Sequence, residues 1–460
     1  MEGKKLSVWT KIGYGVCDLG GNLFFTATAF VLMIYLTDTV KLAAGLAGTA
    51  LMVGRLWDAF YDPVIGYISD KTKTRWGRRR PFMFAGAVPL MLAMALMFVN
   101  PSMLFGEGFQ TLNNQIPLFL WVMVVYIVLC TTYSTVNIPY SSLTPELTTD
   151  YHERTSLNGY RFGFAVIGTL LGAGAALPIV GIFADKNVGF VAMGAIFGIV
   201  MSVTALITVF SVKEPEKVRP AQMDFFKTYL AVFKNKPYLF ILFAYVLHIL
   251  AITAVSGIAI YYFKYIHGAE AKTTIAILIL LGTAMLFIPV SVMLSKKIGK
   301  KLVYGGGMVW VAFVLMLLFL FGHKEPIAYS YIMMFVMGIG FGFTYALPYA
   351  IVPDAIEYDY LKTGQRREGA FYGIWTWALK IGQAFAALSM GWVLSLMGYV
   401  ADKMPQAPSA ELGIRLFLGP IPAAVFVTAS IVLYFYPINE KRYEEILAEI
   451  AKMEKKSGKK

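Results

Sequence analysis

The chain has 460 residues, of which 58% are hydrophobic and only 15% charged, whereas a soluble domain is about half apolar and a quarter charged. That is too few charges to cover a soluble surface and too many apolar groups for a disordered chain. A net charge of +13 suggests nucleic acid as a partner, but the positions of the basic residues remove that reading and leave a polytopic membrane protein.

In chain order, the first apolar stretch is interrupted by Asp18 and no small-residue cleavage site follows it. It is therefore expected to remain as a membrane span and not to be removed as a signal peptide. A helix needs about 20 apolar residues to cross about 30 Å of hydrocarbon. With that window, spans are predicted near 12–37, 44–69, 81–99, 117–141, 158–183, 189–211, 237–263, 273–295, 302–321, 327–352, 370–397 and 413–436. They are expected to be helices, because lipid offers no partner to an open strand edge and the short alternating segments of a barrel do not occur.

With the N-terminus in the cytoplasm, 30 Lys and Arg residues fall in the cytoplasmic loops and tails. Six fall opposite (Lys41, Lys186, Lys264, Lys272, Lys324 and Lys403), and Arg55, Arg161, Lys380 and Arg415 sit at membrane depth. Both termini are thus expected in the cytoplasm, with the chain in the plasma membrane. The two cysteines, Cys17 and Cys130, lie inside apolar runs and build neither a disulfide framework nor a thiolate metal site.

The charged loop 212–236 separates a six-span bundle at 1–211 from a second at 237–436, followed by a tail at 437–460. Two echoes join the halves. Ile138-Pro-Tyr140…Asp150-Tyr151 recurs as Leu347-Pro-Tyr349…Asp359-Tyr360, and Ser69-Asp-Lys…Gly77-Arg-Arg79 recurs as Ser295-Lys-Lys…Gly299-Lys-Lys301. This is the pattern expected of a duplicated unit with a solute path between the copies. In the tail, Tyr443, Ile446, Leu447, Ile450 and Met453 fall at helical spacing, which predicts an amphipathic helix over 439–456.

Ionisable groups in a bilayer are costly, so the few present identify the interior. In span 2, Arg55, Asp58 and Asp62 share one helix face. Two carboxylates one turn apart suit Na⁺ or a shared proton, and one Arg cannot neutralise both. Asp18 in span 1 suggests a pathway role. Lys380, centred in span 11, needs an anion, for which Asp58, Asp62 and Asp18 are the deep candidates. Arg161 reads equally as a pathway residue or a snorkelling anchor. Span 4 is unusually polar, with Tyr133, Ser134 and Asn137 among Thr131, Thr132 and Thr135. Spans 10 and 11 add Tyr345, Tyr349, Tyr372, Trp375, Thr376 and Trp377. Aromatic faces beside hydroxyl and amide groups suit a sugar. His248 reads as a hydrogen-bonded core residue. Gly338, Gly340 and Gly342, like Gly168 and Gly172, read as close helix packing. No Walker A, His-Glu-x-x-His or Gly-x-Ser-x-Gly motif occurs, so neither ATP nor hydrolase chemistry is indicated. No catalytic residue, enzyme activity or cofactor is expected.

The loop Gly66-Tyr-Ile-Ser-Asp70-Lys71…Arg75-Trp-Gly77-Arg-Arg-Arg80 resembles the signature between spans 2 and 3 of the major facilitator superfamily. Arg55-Leu-Trp-Asp58-Ala-Phe-Tyr-Asp62-Pro63, Asn137-Ile-Pro139-Tyr140 and Pro353-Asp354…Glu357-Tyr358 resemble its glycoside–pentoside–hexuronide:cation symporters. The resemblance covers nearly the whole chain. It implies an all-α fold of twelve transmembrane helices in two pseudo-symmetric bundles, and a cytoplasmic charge latch from Asp70, Arg75, Arg78 and Arg79. It further implies a cation site at Asp58, Asp62 and Ser134, where relatives carry Thr. Lys380 falls between cation and sugar sites, and Asp18, Tyr133, Arg161, Tyr345, Trp375 and Thr376 fall at sugar-pocket positions. Asn137 replaces a sugar-binding Asp of that pattern, Ser141 a Trp, and Tyr61 an Asn beside the cation.

The expected function is symport of a sugar or glycoside with Na⁺ or H⁺ by alternating access, in a monomer contacting membrane lipid and no nucleic acid. A lysophospholipid symporter of the same family is the alternative, and a non-transporting sensor or scaffold the second. The identity of the solute and the choice among Na⁺, H⁺ and Li⁺ stay open.

Overall fold

A computed structural model describes residues 6–106, 109, 114–148, 150–214 and 231–456. Most of the expected linker, at 215–230, and the end of the tail lie outside the described residues. Long helices follow one another: α1 Val8–Thr39, α2 Ala44–Lys71, α3 Arg80–Met97, α4 Ile116–Leu147, α5 Tyr151–Ile182, α6 Lys186–Ser211, α7 Lys236–Ile266, α8 Thr273–Ile298, α9 Lys300–Phe321, α10 Ile327–Thr363, α11 Glu368–Leu396, α12 Pro408–Tyr434 and the tail helix α13 Glu440–Lys456. Eleven are long and apolar enough to cross a membrane. The remaining long helix of the expected twelve is α2, which carries Arg55, Asp58 and Asp62.

By contacts the chain falls into two compact units. The first contains Met1–Ala221, Ser256–Thr274 and Ala387–Gly413, and so joins α1–α6 to the end of α7, the start of α8, the end of α11 and the start of α12. The second contains Gln222–Val255, Ile275–Ala386 and Ile414–Lys460. Each is packed through glycines where a side chain would not fit. In the first, a Cβ on Gly172 would lie 2.8 Å from Cβ of Thr26, and one on Gly168 would strike the Leu19 backbone. In the second, a Cβ on Gly338 would lie 2.7 Å from the Leu280 carbonyl, and one on Gly342 2.6 Å from that of Ala284. His248 is buried, with Nδ1 3.0 Å from the Tyr304 hydroxyl.

The tail helix is amphipathic as expected. Ile446 and Ile450 are buried, and the Tyr360 hydroxyl donates to Glu454 at 3.0 Å. The first sequence echo is not copied in backbone. Pro139 lies inside continuous α4, whereas α10 breaks at Ala346 and restarts at Leu347-Pro348, as a ring without an N–H encourages.

Two boundaries correct the sequence reading. Helix α1 runs to Thr39 and α7 to Ile266, each ending in a wider π-helical turn, Tyr35–Thr39 and Tyr262–Ile266. Asp38 and Lys264 are thereby buried, at 5% and 6% exposure. Asp38 and Lys264 therefore lie within helices and not in the loops that follow them. Both sit beyond the end of the apolar run, where the hydropathy window had stopped.

Candidate functional site

The charged face of α2 is built against α1 and α4. Arg55 Nη2 donates to the Thr28 hydroxyl at 2.9 Å, and its guanidinium lies over the rings of Phe24, Phe25 and Tyr126, 5.2, 5.9 and 5.8 Å from their centroids. Its nearest approach to Asp58 is 4.0 Å, the outer limit of an ion pair. The arginine charge is thus shared between ring faces and carboxylate, not locked onto the carboxylate by a bidentate fork. Asp58 is enclosed, with 1% exposure, and accepts the Ser134 hydroxyl proton on Oδ1 at 2.5 Å. That hydroxyl has lone pairs it can turn toward a cation once its proton points elsewhere. Asp62 stands one turn further along and is half-buried. Among the described residues no three or more His, Cys, Asp or Glu converge in a group that could hold a metal ion.

A second charged group joins α1, α4 and α5. Arg161 Nε donates to Asp18 Oδ2 at 2.7 Å and Nη1 to Thr144 at 2.8 Å, so the side chain turns inward and does not snorkel. The Tyr140 hydroxyl donates to the same Asp18 oxygen at 2.6 Å and accepts from Arg161 Nε at 3.1 Å, while its ring lies 4.8 Å from the guanidinium. The Tyr14 hydroxyl closes the group at 2.8 Å from Thr144 and donates to the Tyr140 carbonyl at 2.7 Å. Sequence reasoning missed Tyr14, Tyr140 and Thr144 as members; the echo around Ile138-Pro-Tyr140 was the signal that could have found one of them. Tyr133 is buried and stacked on Phe24 at 4.0 Å, and Asn137, one turn beyond Ser134, is half-buried.

In the second unit, Trp375 of α11 is buried with one face stacked 3.8 Å from Tyr245, whose hydroxyl lies 3.1 Å from that of Tyr349. Tyr345, Tyr349, Tyr372 and Trp377 remain exposed. Thr376 is exposed and donates to the Tyr372 carbonyl at 3.0 Å. Lys380, on the same helix, is buried.

Three of the four residues expected to form a latch make ion pairs, and with partners the motif did not name. Arg79 reaches Asp70 at 2.8 Å and Glu146 at 2.7 Å, and Arg78 reaches Glu146 at 2.8 Å. Glu214 accepts the backbone N–H groups of Arg78, Arg79 and Arg80 at 2.6, 2.9 and 2.7 Å, forming an anion nest. Gly77 has φ +107°, which turns the chain into that nest. Arg75 is exposed and takes no part. The second unit repeats the device: Gly299 has φ +91° and Lys300 pairs with Asp354 at 2.8 Å. Glu146 follows Pro145 as Asp354 follows Pro353, and that recurrence was the available signal.

Comparison with known proteins agrees with this architecture. The chain is 28% identical to the putative glycoside/cation symporter YagG of Escherichia coli (strain K12), over 97% of this chain and 96% of that one. It is 29% identical to the isoprimeverose transporter of Lactiplantibacillus pentosus, over 95% and 90%. The crystal structure of the nucleoside transporter NupG superposes with a TM-score of 0.64 at 14% identity, covering 94% of this chain and 99% of that one. At that identity the likeness shows the fold alone, which is the major facilitator fold. A family model described as MFS/sugar transport protein matches residues 13–440. The chain is an integral, multi-pass membrane protein belonging to the MFS/sugar transport protein family.

Proposed function

We propose that this protein carries a sugar or glycoside across the membrane together with Na⁺ or H⁺, by alternating access. The observation that carries the reading is the enclosed carboxylate Asp58, held by Ser134 one helix away while Arg55 is drawn aside to Thr28 and three aromatic rings. A buried carboxylate, hydroxyl and guanidinium gathered at one place in an apolar span are costly there, and a cation-coupled carrier has a use for them. The names of relatives, a glycoside/cation symporter and an isoprimeverose transporter, support the substrate class.

In this scheme the ion neutralises Asp58 and Asp62, and the solute binds at Asp18 and Arg161, with Tyr133 and Asn137 beside them. Tyr345, Trp375, Thr376 and Lys380 complete the solute path from the other bundle. Lys380 and the ion are the two cations that can answer Asp58 or Asp62 in this scheme, so ion occupancy changes what the lysine pairs with. Linkage makes the coupling reciprocal: the ion raises sugar affinity by the factor that sugar raises ion affinity. The polar face of α4 favours a hydroxylated solute over a lysophospholipid. The excess of Lys and Arg in alternate loops supports a cytoplasmic position for both termini, and no cofactor enters the scheme.

Uptake into proteoliposomes tests this, using a panel of glycosides, pentosides and hexuronides under separate Na⁺ and pH gradients. At least one sugar is expected to accumulate above its external concentration under one of the gradients. No accumulation of any panel member under either gradient overturns the reading.

A further inference from the structure

At the end of the first unit remote from the Gly77 loop, four charges form a chain. Lys41 Nζ lies 2.6 Å from Asp402 Oδ2, Lys264 Nζ lies 2.5 Å from Asp402 Oδ1, and the same Nζ lies 2.5 Å from Asp38 Oδ2. The hydroxyls of Tyr265 and Tyr399 both donate to Asp38, and Tyr265 also accepts the backbone N–H of Asp402 at 3.0 Å. Beneath this layer the Thr37 and Tyr261 hydroxyls meet at 2.7 Å. Deeper still, α2 and α11 touch backbone to backbone: a Cβ on Gly391 would lie 2.9 Å from the Gly48 Cα and would strike the Ala44 carbonyl.

Each of the four charges sits on an irregular backbone. Asp38 and Lys264 lie in the π-helical turns Tyr35–Thr39 and Tyr262–Ile266, a feature that concentrates at functional positions. Lys41 has φ +64° and Asp402 φ +55°, the two positive-φ residues other than glycine among the described residues. Such conformations persist only where the surroundings over-determine them, and here the two strained residues hold each other. Strained backbone and charge gathered at one place point to a functional element.

We propose that these four residues are a lock on the outer end of the transport path, built so that opening it strands no charge. Asp38 and Lys41 belong to the end of α1 and the α1–α2 loop; Lys264 and Asp402 belong to the end of α7 and the α11–α12 loop. Each side carries one positive and one negative charge. Parting them breaks Lys264–Asp38 and Lys41–Asp402 and leaves Lys264–Asp402 intact, with Asp38 and Lys41 three residues apart and free to compensate each other. A single buried pair lacks this property, because separating it leaves two unpaired ions. The lock rests on the transport reading only for the path that it closes.

The test reads conformation, not uptake. Ala44 is buried against α11, and the native Cys17 and Cys130 are both buried, so Ala44→Cys reports opening of this end. The full-length protein in right-side-out and inverted membrane vesicles is treated with a membrane-impermeant maleimide. The lock predicts slow labelling of the reporter alone and a rise of about tenfold with Lys264→Met, which leaves two carboxylates facing each other. Lys264→Met with Asp38→Asn should fall between, since the attraction is lost but the repulsion is relieved. Should Lys264→Met not fold, as judged by size exclusion, Asp402→Asn, whose carboxylate is partly exposed, is expected to give a smaller rise. Equal labelling in all variants, or the double variant labelling faster than Lys264→Met, overturns the lock. Because labelling needs no sugar, a shifted labelling rate with no transported sugar in any panel overturns the transport reading and keeps the lock. Normal uptake with unshifted labelling does the reverse.

Discussion

Arg161 meets Asp18 edge-on, with Nε 2.7 Å from Oδ2 and Nη2 3.3 Å from Oδ1, while Tyr140 donates to Oδ2 as well. The carboxylate oxygen that Arg161 holds best is thus already served twice, and the other oxygen only weakly. On the proposed reading, a sugar hydroxyl arriving here would donate to Oδ1 or displace Tyr140, and either route would leave the ion pair as the fixed floor of the site.

Solute affinity should therefore depend on the pair and ion affinity should not. A hydrogen bond to a charged group contributes about 1.5–3 kcal/mol, so Asp18→Ala and Arg161→Ala are each expected to weaken solute binding about tenfold or more. Tyr140→Phe should cost less, about 0.5–1.5 kcal/mol. Calorimetric titration of each purified variant with solute and with Na⁺ separates the two effects. Unchanged solute affinity in both charge variants would leave the pair as a structural contact.

For the cation, Asp58→Asn or Asp62→Asn is expected to abolish gradient-driven accumulation while some solute binding or exchange survives. Ser134→Ala, which removes one neutral oxygen and keeps both carboxylates, should weaken ion affinity without abolishing coupling. Counterflow and gradient-driven uptake measured on the same proteoliposomes tell these apart. If both Asn variants concentrate solute as well as the parent, the ion binds elsewhere.

The twelve long helices were legible because each apolar run is about a bilayer thick, and the α2 face was legible because Arg55, Asp58 and Asp62 share a helical period. The Asp18–Arg161 pair was not, because its members are 143 residues apart and each looked alone on its own span. Lys264 was hidden differently: the π-helical turn carries α7 past the end of its apolar run, so a hydropathy window ends before the buried lysine. The latch motif named its basic residues but not Glu146 or Glu214, since acids that answer a motif from other segments follow no local spacing.

The two positive-φ glycines that precede the basic residues of the latch and its counterpart, Gly77 and Gly299, separate strain from collision. A Cβ on Gly299 meets nothing within 4 Å, whereas one on Gly77 lies 2.6 Å from each Glu214 carboxylate oxygen. Gly299→Ala should cost about 1–2 kcal/mol of backbone strain alone. Gly77→Ala should cost more, because it also expels Glu214 from the nest. Thermal unfolding of the two variants in detergent checks the order, and equal midpoints would mean that the nest adds no stability.

The lock should be indifferent to pH in the physiological range. Burial alone would raise the Asp402 carboxyl, but hydrogen bonds from Lys264 and Lys41 outweigh it and hold the group below the ordinary carboxylate range. A depressed acid contributes stability above its unfolded pKa, about 4, and loses that contribution only as pH falls further. The hydroxyl of Tyr399, which faces Asp38, is pushed upward by burial and then by Tyr261 and Asp38, so it stays protonated. His267, the nearest histidine in sequence, is pushed downward by burial. Labelling of the Ala44→Cys reporter, normalised to an exposed cysteine, should be flat from about pH 5.5 to 8. A rise between 5.5 and 7 would point to a histidine-driven release instead.

Lys380 gives the final prediction, because a buried ammonium in α11 is costly unless an anion answers it. If the ion and Lys380 compete for Asp58 or Asp62, removing the lysine frees the carboxylates permanently. Na⁺ or H⁺ binding to Lys380→Ala should then be as tight as in the parent or tighter, while coupled accumulation is abolished, because the ion no longer displaces the lysine. Adding Asp58→Asn should not restore transport, since it removes the ion site as well. Ion titration and gradient-driven uptake on the same preparation decide the matter. Weakened ion binding in Lys380→Ala would make the lysine a support of the cation site, and normal accumulation would remove it from the coupling altogether.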